Sequence, residues 1–161
     1  MIKVIGNYTF SDIKASILHL LDLAAKSPEF RQHAIEITFQ SQDKISAIYD
    51  WVKENVSYIS DPIGATGHEI ELFISPVLMV EDFSKGLRPA GDCDDHAILT
   101  TALYRAIGMQ SNVVLVDFGR GIEHAYCRVK SSELNEWVVA DTSSETPLGW
   151  IYKEKRGEVI V

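Results

Sequence analysis

A helix-forming segment near the middle of the chain constrains the fold more than any other feature. Asp92 is a good N-cap residue, apolar residues recur after it at helical spacing, and Gly108 supplies a left-handed stop, so the sequence predicts a helix from about Cys93 to Ile107. Helical periodicity dominates before this segment, and β-rich runs dominate after it. This order predicts an α+β fold in which the central helix packs on a sheet.

The first half is predicted to hold one short strand and several helices. In chain order these are a strand at Lys3–Thr9, a helix capped by Ser11, a helix begun by Ser27 and Pro28, and an amphipathic helix with Asp43 in its first turn. From Ser60 to Pro89 the periodicity fades among prolines and glycines. We therefore expect a long excursion there, with one short helix that starts at Ser75 and Pro76.

The second half contains three β-rich runs. They are separated by glycines and by the polar segment 131–135, and they comprise Asn112–Phe118, His124–Lys130 and Glu136–Thr142. Such short connections predict an antiparallel meander.

Composition limits the possible class of protein. A length of 161 residues with 46% hydrophobic content predicts a single domain over residues 1–161. There is no apolar run of membrane-spanning length and no signal-like start, so we expect a soluble cytoplasmic protein with no membrane partner. Two cysteines are too few for a disulfide scaffold, and a net charge of -8 without a basic patch disfavours nucleic-acid binding.

Cys93 is the candidate nucleophile. A cysteine at a helix N-terminus is favoured as thiolate by the unpaired backbone N–H groups and the positive end of the helix dipole. The neighbouring Asp92, Asp94 and Asp95 act in the opposite direction, because their charges raise the thiol pKa if they crowd the sulfur. A cationic partner is therefore required.

His124 and Asp141 are the candidate partners. In a strand that starts near Glu123, His124 lies on one face and Cys127 on the other, so Cys127 is not expected at the site. If a four-residue loop places Lys130 opposite Asn135, then Asp141 lies directly beside His124 on the same face. A slip of one residue would move Asp141 to the opposite face.

Several motifs together resemble the transglutaminase-like superfamily. They are Gly91-Asp92-Cys93-Asp94-Asp95-His96-Ala97, Ala106-Ile107-Gly108-Met109, His124-Ala125-Tyr126 and Trp137-Val138-Val139-Ala140-Asp141-Thr142, in that order. Upstream, Ile48–Tyr58, Asp61-Pro62, Glu71 and Ser75-Pro76 are similar to the type encoded by tailed bacteriophages. The resemblance covers about residues 44–150.

The resemblance implies a papain-like core over residues 43–153, with residues 1–42 as an N-terminal addition. It implies that Cys93 is the nucleophile, His124 the general base and then acid, and Asp141 the orienting residue. We expect no cofactor and no metal. The backbone N–H of Cys93 would bind the oxyanion. A second donor is left open among Asn55, Trp51 and Tyr58.

The expected function is acyl transfer through a thioester on peptide or isopeptide amides, with hydrolysis by a cysteine protease or amidase favoured over cross-linking. The partner would be a protein or peptide, including a virion or host protein if the bacteriophage likeness holds. The alternative from another class is a catalytically silent interaction module that uses residues 60–89 as its contact surface.

Three further alternatives concern residues near Cys93. The Asp92–His96 cluster could bind a divalent cation, although adjacent helical side chains point in different directions and rarely converge on one ion. His96 lies on the same helix as Cys93 but is not at the family's base position. Cys127 is expected to be a buried bystander, with a Cys93–Cys127 disulfide left open.

Overall fold

The computed structural model describes residues 8–62 and 71–161 in full and residues 2–5 by their backbone. The elements in chain order are β1 (Ile2–Ile5), α1 (Phe10–Ala25), α2 (Pro28–Thr38), α3 (Lys44–Asn55), β2 (Ser57–Tyr58), β3 (Glu71–Ile74), α4 (Pro76–Ser84), β4 (Ala90–Gly91), α5 (Cys93–Ala106), β5 (Ser111–Asp117), β6 (Ile122–Lys130), β7 (Trp137–Ala140) and β8 (Gly157–Ile160). Helices precede the main run of strands, so the predicted α+β class is confirmed.

The main sheet is antiparallel and has the strand order β7-β6-β5-β8. The meander predicted for β5, β6 and β7 is confirmed. Two smaller pairings join β1 to β3 in antiparallel and β2 to β4 in parallel orientation. The sequence prediction lacked β2, β3, β4 and β8, because strands of two to four residues leave too little alternation to read.

Helix α5 is the centre of the molecule, as predicted. Every residue from Asp94 to Tyr104 is buried, so this helix has no solvent face over that stretch. It packs on β5 and β6 and on α1, α2, α3 and α4. Ile98, Leu99 and Leu103 are fully buried, and burying each such side chain contributes about 1.5–3 kcal/mol. The position of Cys93 at the N-terminus of α5 is therefore set by the core.

The N-terminal region differs in detail from the prediction. The strand predicted at Lys3–Thr9 is observed as β1 at Ile2–Ile5; residues 6 and 7 lie outside the described residues, and Tyr8 and Thr9 are not in a strand. Helix α1 is capped by Thr9 rather than by Ser11. The Thr9 Oγ1 accepts from the Asp12 N–H at 3.3 Å and the Asp12 carboxylate accepts from the Thr9 N–H at 2.8 Å, a reciprocal capping box.

Helices α2, α3 and α4 begin at or next to the residues predicted from the sequence. Ser27 caps α2 through its Oγ, with Pro28 in the first turn, and α4 starts at Pro76 directly after Ser75, as predicted. Asp43 precedes α3 as its N-cap instead of lying in its first turn, and its Oδ1 accepts from two backbone N–H groups at 3.1 Å. Helices α1 and α2 pack on α5; the division into residues 1–42 and 43–153 stays a prediction.

The predicted register between β6 and β7 is wrong by two residues. Lys130 pairs with Trp137 rather than lying opposite Asn135. The Ser131 N–H donates to the Glu136 carbonyl at 2.8 Å and Asn135 adopts a φ of 55°, so the turn lies one residue further along the chain than expected. A shift of two residues preserves the face of each side chain.

The two faces of the main sheet carry separate apolar clusters. One face, with Ala125, Cys127 and Val129, joins the core around α5, and the other holds Val114, Val116 and Tyr126 with Phe118, Val139 and Tyr152 packed against them. Among the described residues, none of the helices combines the length and apolar content that crossing a bilayer requires.

Candidate active site

Cys93 is the first residue of α5. Asp92 adopts an extended conformation as N-cap, and its Oδ1 accepts from the Asp94 N–H at 3.2 Å. The short β2–β4 pairing holds the preceding chain, because the Ile59 N–H donates to the Gly91 carbonyl at 2.9 Å. The Cys93 thiol is half-buried at this helix start, where backbone N–H groups have no acceptor within the helix.

His124 and Asp141 form a hydrogen-bonded pair. The distance from His124 Nε2 to Asp141 Oδ2 is 2.7 Å, and the Asp141 side chain is only 1% exposed. His124 lies near the start of β6, and Asp141 directly follows β7. Because Nε2 contacts Asp141, Nδ1 is the ring nitrogen that remains for a second partner.

The Asp141 carboxylate is held by many donors. Its Oδ1 accepts from the Ser143 N–H at 3.0 Å and the Ser143 Oγ at 2.9 Å, and its Oδ2 accepts from the Ser144 Oγ at 2.9 Å and from the Tyr152 hydroxyl. Burial alone would raise the pKa of Asp141, but hydrogen bonds from His124 and Tyr152 outweigh it and lower that pKa well below its ordinary value. Asp141 is therefore ionised across the physiological range.

The thiol of Cys93 is in an environment that disfavours the thiolate. Burial and then the charge of Asp92 raise the pKa of Cys93 to about 12, although a backbone hydrogen bond from Ala125 acts in the opposite direction. The predicted effect of the neighbouring carboxylate is thus present. Ionisation of the thiol at neutral pH therefore requires transfer of its proton to a base.

Cys93 and His124 line the same cavity, whose volume is about 460 Å³. Carboxylates dominate the charge of its lining, and among the lining residues that the structure describes there is no Lys or Arg. The acidic members are Asp61, Glu71, Asp92, Asp94 and Glu123. A larger cavity of about 650 Å³ between the start of α3 and the β6–β7 turn has neither Cys nor His among its described lining residues.

Asp92, Asp94 and Asp95 converge beside Cys93. Each offers a carboxylate oxygen within 4.8 Å of the others, contrary to the expectation that neighbouring side chains diverge. Convergence is possible because Asp92 is an extended N-cap and not a helical residue. Within the described part of the chain, both Asp94 oxygens and the Asp95 Oδ2 are buried without a hydrogen-bond partner. Burial raises the pKa of Asp94, and it raises the pKa of Asp95 to about 8.

His96 does not join this cluster. Its Nδ1 lies 3.3 Å from the Thr142 Oγ1 and its Nε2 lies 3.4 Å from the Ser57 carbonyl oxygen. Burial lowers the pKa of His96, which favours the neutral ring. His96 thus links α5 to the residue after Asp141 instead of facing Cys93.

Cys127 lies apart from the site, as predicted. It is fully buried in the core on the face of β6 opposite His124, and burial raises its thiol pKa to about 12. Both cysteines are free thiols, so the Cys93–Cys127 disulfide left open by the sequence is not formed.

Of the three candidates for a second oxyanion donor, only Tyr58 lines the cavity with Cys93. Trp51 packs edge-to-face against His33 and Phe83, with ring centroids 4.9 Å away in each case, and Asn55 donates to the Trp51 carbonyl at 2.8 Å. These contacts place Trp51 and Asn55 outside the site.

Sequence reasoning missed Tyr152, which contacts both His124 and Asp141. The Gly149 N–H donates to the Val139 carbonyl at 2.7 Å, and this bond folds the chain after Asp141 back over the sheet. Pro147 and Gly149 in the sequence signal a turn there, but no local pattern shows which residue reaches the site.

A model of one protein family matches most of this chain. The model of the transglutaminase-like superfamily matches residues 31–142, which is more than half of the chain. The chain therefore belongs to the transglutaminase-like superfamily, and the family and fold expected from its motifs are confirmed. A search of curated protein sequences finds no match.

Two solved structures with a TM-score of 0.56 have a similar fold. A candidate cysteine protease from Cytophaga hutchinsonii is 20% identical with a TM-score of 0.56, over 98% of this chain and 54% of that one. A candidate protease from Parabacteroides distasonis is 19% identical with a TM-score of 0.56, over 83% of this chain and 26% of that one. Calcium-bound LapG from Legionella pneumophila is 18% identical with a TM-score of 0.45, over 81% of this chain and 63% of that one.

This chain is shorter than both proteins. The chain spans about half the length of the Cytophaga protein and about a quarter of the Parabacteroides protein. Both come from bacteria, and neither supports the expected likeness to the bacteriophage-encoded type.

Proposed function

We propose that this protein is a cysteine-dependent acyl-transfer enzyme in which Cys93 is the nucleophile, His124 the general base and acid, and Asp141 the orienting residue. The observation that carries the proposal is the 2.7 Å bond between His124 Nε2 and Asp141 Oδ2 beside a cavity that Cys93 also lines. This bond fixes the tautomer of the imidazole and stabilises the imidazolium that forms when it accepts a proton.

The reaction follows from these positions. His124 Nδ1 takes the thiol proton while Cys93 Sγ attacks the amide carbonyl, and the Cys93 backbone N–H binds the developing oxyanion. The imidazolium then gives its proton to the departing amine, which leaves a thioester on Cys93. In the second half, His124 takes a proton from water as the resulting hydroxide attacks the thioester carbonyl. The C–S bond then breaks, the imidazolium returns the proton to the Cys93 sulfur, and the carboxylic acid leaves. Asp141 stays ionised throughout.

The proposed substrate is a protein or peptide, with hydrolysis favoured over cross-linking because the sequence shows no amine-acceptor site. The carboxylates that line the cavity favour a substrate with a basic residue near the scissile amide. A peptide library that varies Lys against Glu at the flanking positions tests this preference, and equal cleavage of both sets would contradict it. Cytoplasmic location and a virion or host partner stay predictions.

The test of chemistry uses p-nitrophenyl acetate, which needs no knowledge of the natural substrate. Attack by Cys93 would release p-nitrophenolate and leave an acetyl group on the sulfur, detected by site-resolved mass spectrometry. We expect this adduct in the wild type and not in Cys93→Ala, whereas Cys127→Ala keeps it. Absence of the adduct from folded wild-type protein would favour the silent interaction module. Added hydroxylamine then reports whether amines compete with water for the thioester.

A second proposal concerns the carboxylates of Asp92, Asp94 and Asp95. We propose that they bind a hard divalent cation such as Ca²⁺, since one carboxylate oxygen from each residue lies within 4.8 Å of the other two, and neither oxygen of buried Asp94 has a hydrogen-bond partner among the described residues. A cation there would also offset the charge of Asp92 that raises the pKa of Cys93.

Thermal unfolding with CaCl₂ or with EDTA tests the cation site. Binding at 100 times the dissociation constant stabilises the folded state by about 2.7 kcal/mol. We expect a Ca²⁺-dependent rise in melting temperature that survives Cys93→Ala and is lost in Asp94→Asn, with the exposed Asp50→Asn as the matched control. An unchanged melting curve in the wild type would reject the site.

A further inference from the structure

We infer that Tyr152 is a positioning residue that holds the Asp141 carboxylate and the His124 imidazole in their mutual orientation, an inference that rests on the proposed function. Tyr152 lies outside the residues that match the family model, which ends at residue 142. Its hydroxyl donates to Asp141 Oδ2, the same oxygen that contacts His124, and lies 3.5 Å from His124 Nε2.

The ring of Tyr152 is fixed on several sides. It meets the His124 ring edge-to-face at a centroid distance of 5.5 Å, stacks on Tyr126 at 5.6 Å, and meets Phe118 edge-to-face at 5.8 Å. Aromatic pairs at these distances add to the stability of a packing arrangement beyond their buried area. The ring therefore covers the His124 side of the hydrogen-bonded pair and restricts the rotation of the imidazole.

The segment that carries Tyr152 is anchored at both ends. Before it, the Tyr49 hydroxyl donates to the Thr146 carbonyl at 2.6 Å and Lys53 donates to the Ser144 carbonyl. After it, β8 pairs with β5. These anchors come from α3 and from the main sheet, so the position of Tyr152 does not depend on its own contact with Asp141.

The hydroxyl and the ring have separable effects. Asp141 Oδ2 accepts hydrogen bonds from His124, from Ser144 at 2.9 Å and from Tyr152. Together these bonds fix the orientation of the carboxylate. With Oδ2 fixed, the imidazole keeps its proton on Nε2 and presents Nδ1 to Cys93. The Tyr152 ring acts by excluding water from the hydrogen bond between His124 and Asp141.

Tyr152→Phe and Tyr152→Ala separate these effects, and Tyr126→Phe is the matched control because the Tyr126 hydroxyl contacts Glu158 at 3.5 Å instead of Asp141. We expect Tyr152→Phe to lower the acylation rate of Cys93 by p-nitrophenyl acetate about 10-fold, as for one lost hydrogen bond to a charged group. Tyr152→Ala should lower it further, and Tyr126→Phe should leave it unchanged.

Nitrogen NMR of ¹⁵N-histidine-labelled protein supplies a readout that needs no activity. The His124 signals, assigned with His124→Ala, should show the Nε2–H tautomer in the wild type and a mixture of tautomers in Tyr152→Phe. Unaltered tautomer signals in Tyr152→Phe, or equal effects of Tyr152→Phe and Tyr126→Phe, would overturn the inference. If the wild type forms no acetyl adduct, the proposed function fails, while the NMR comparison still decides whether Tyr152 orients His124.

Discussion

His124 Nε2 lies 2.7 Å from Asp141 Oδ2, although the two residues are not partners in the β6–β7 ladder. The ladder pairs Cys127 with Ala140, and Asp141 follows the last residue of β7. Asp141 is fixed there by its own hydrogen bonds to Ser143 and Ser144. The pair thus depends on the turn after β7 as much as on the sheet.

Asp141→Asn tests the orienting role. The amide removes the negative charge that stabilises imidazolium, so we expect the acylation rate of Cys93 to fall by roughly 10³-fold or more while the fold is retained. The rate of p-nitrophenolate release measures this. Glu145→Gln, an exposed carboxylate in the same turn, is the control and should have little effect. Similar rates for Asp141→Asn and the wild type would rule out the triad.

Gly91→Ala tests the close approach of β4 to α5. A Cβ on Gly91 would lie 2.5 Å from the Cβ of Asp95, an atom that the helix backbone holds in place. We expect a loss of about 1–3 kcal/mol in the free energy of unfolding, measured with urea. Gly157→Ala is the control, because its Cβ would meet only the Asp117 Cβ at 3.9 Å. Equal stability of the two variants would show that β4 can shift away from α5 without cost and would contradict a close contact there.

Asp95 should make stability depend on pH when EDTA removes divalent cations. Burial raises its pKa from 3.8 to about 8 in the folded protein. The folded state therefore keeps a proton that the unfolded chain releases, and the free energy of unfolding contributed by this group falls as pH rises from about 4 to about 8.

Asp95→Asn should remove that decline. Its Oδ1 can still accept from the Ile74 N–H, a bond of 2.7 Å in the wild type, and no buried charge develops. We expect the variant to be more stable than the wild type at pH 8 by about 1–3 kcal/mol, and close to it at pH 4. Urea unfolding at both pH values measures the difference. A variant less stable than the wild type at pH 8 would contradict the assigned environment of Asp95.

The sequence was most informative where a signal is local. The cap and apolar spacing of α5, its Gly108 stop, and the alternation in β6 all report the structure around them, so the positions of Cys93 and His124 followed from pattern. Asp141 followed from an assumed strand register and from the family motifs. The structure shows the hydrogen bond between His124 and Asp141 and a cavity lined by both Cys93 and His124, while the catalytic roles of the three residues stay a prediction.

What the sequence left undetermined depends on geometry beyond one element. The polar residues 131–135 allow more than one turn, and only the conformation of Asn135, with φ at 55°, selects the observed register. Convergence of Asp92 with Asp94 and Asp95 required the extended N-cap conformation. Tyr152 reaches the site only because the chain folds back after β7 and β8 joins β5, which no short window shows.

Iodoacetamide labelling at neutral pH, read by site-resolved mass spectrometry, tests whether His124 activates the Cys93 thiol. Burial and then the charge of Asp92 raise the pKa of Cys93 to about 12, so reaction at neutral pH requires a base that takes the thiol proton, and His124 is the proposed base. We predict rapid labelling of Cys93 and slow labelling of buried Cys127 in the wild type and in the exposed control His19→Ala, with loss of Cys93 reactivity in His124→Ala. Equal, slow labelling of both cysteines in the wild type, or unchanged Cys93 labelling in His124→Ala, would contradict the account.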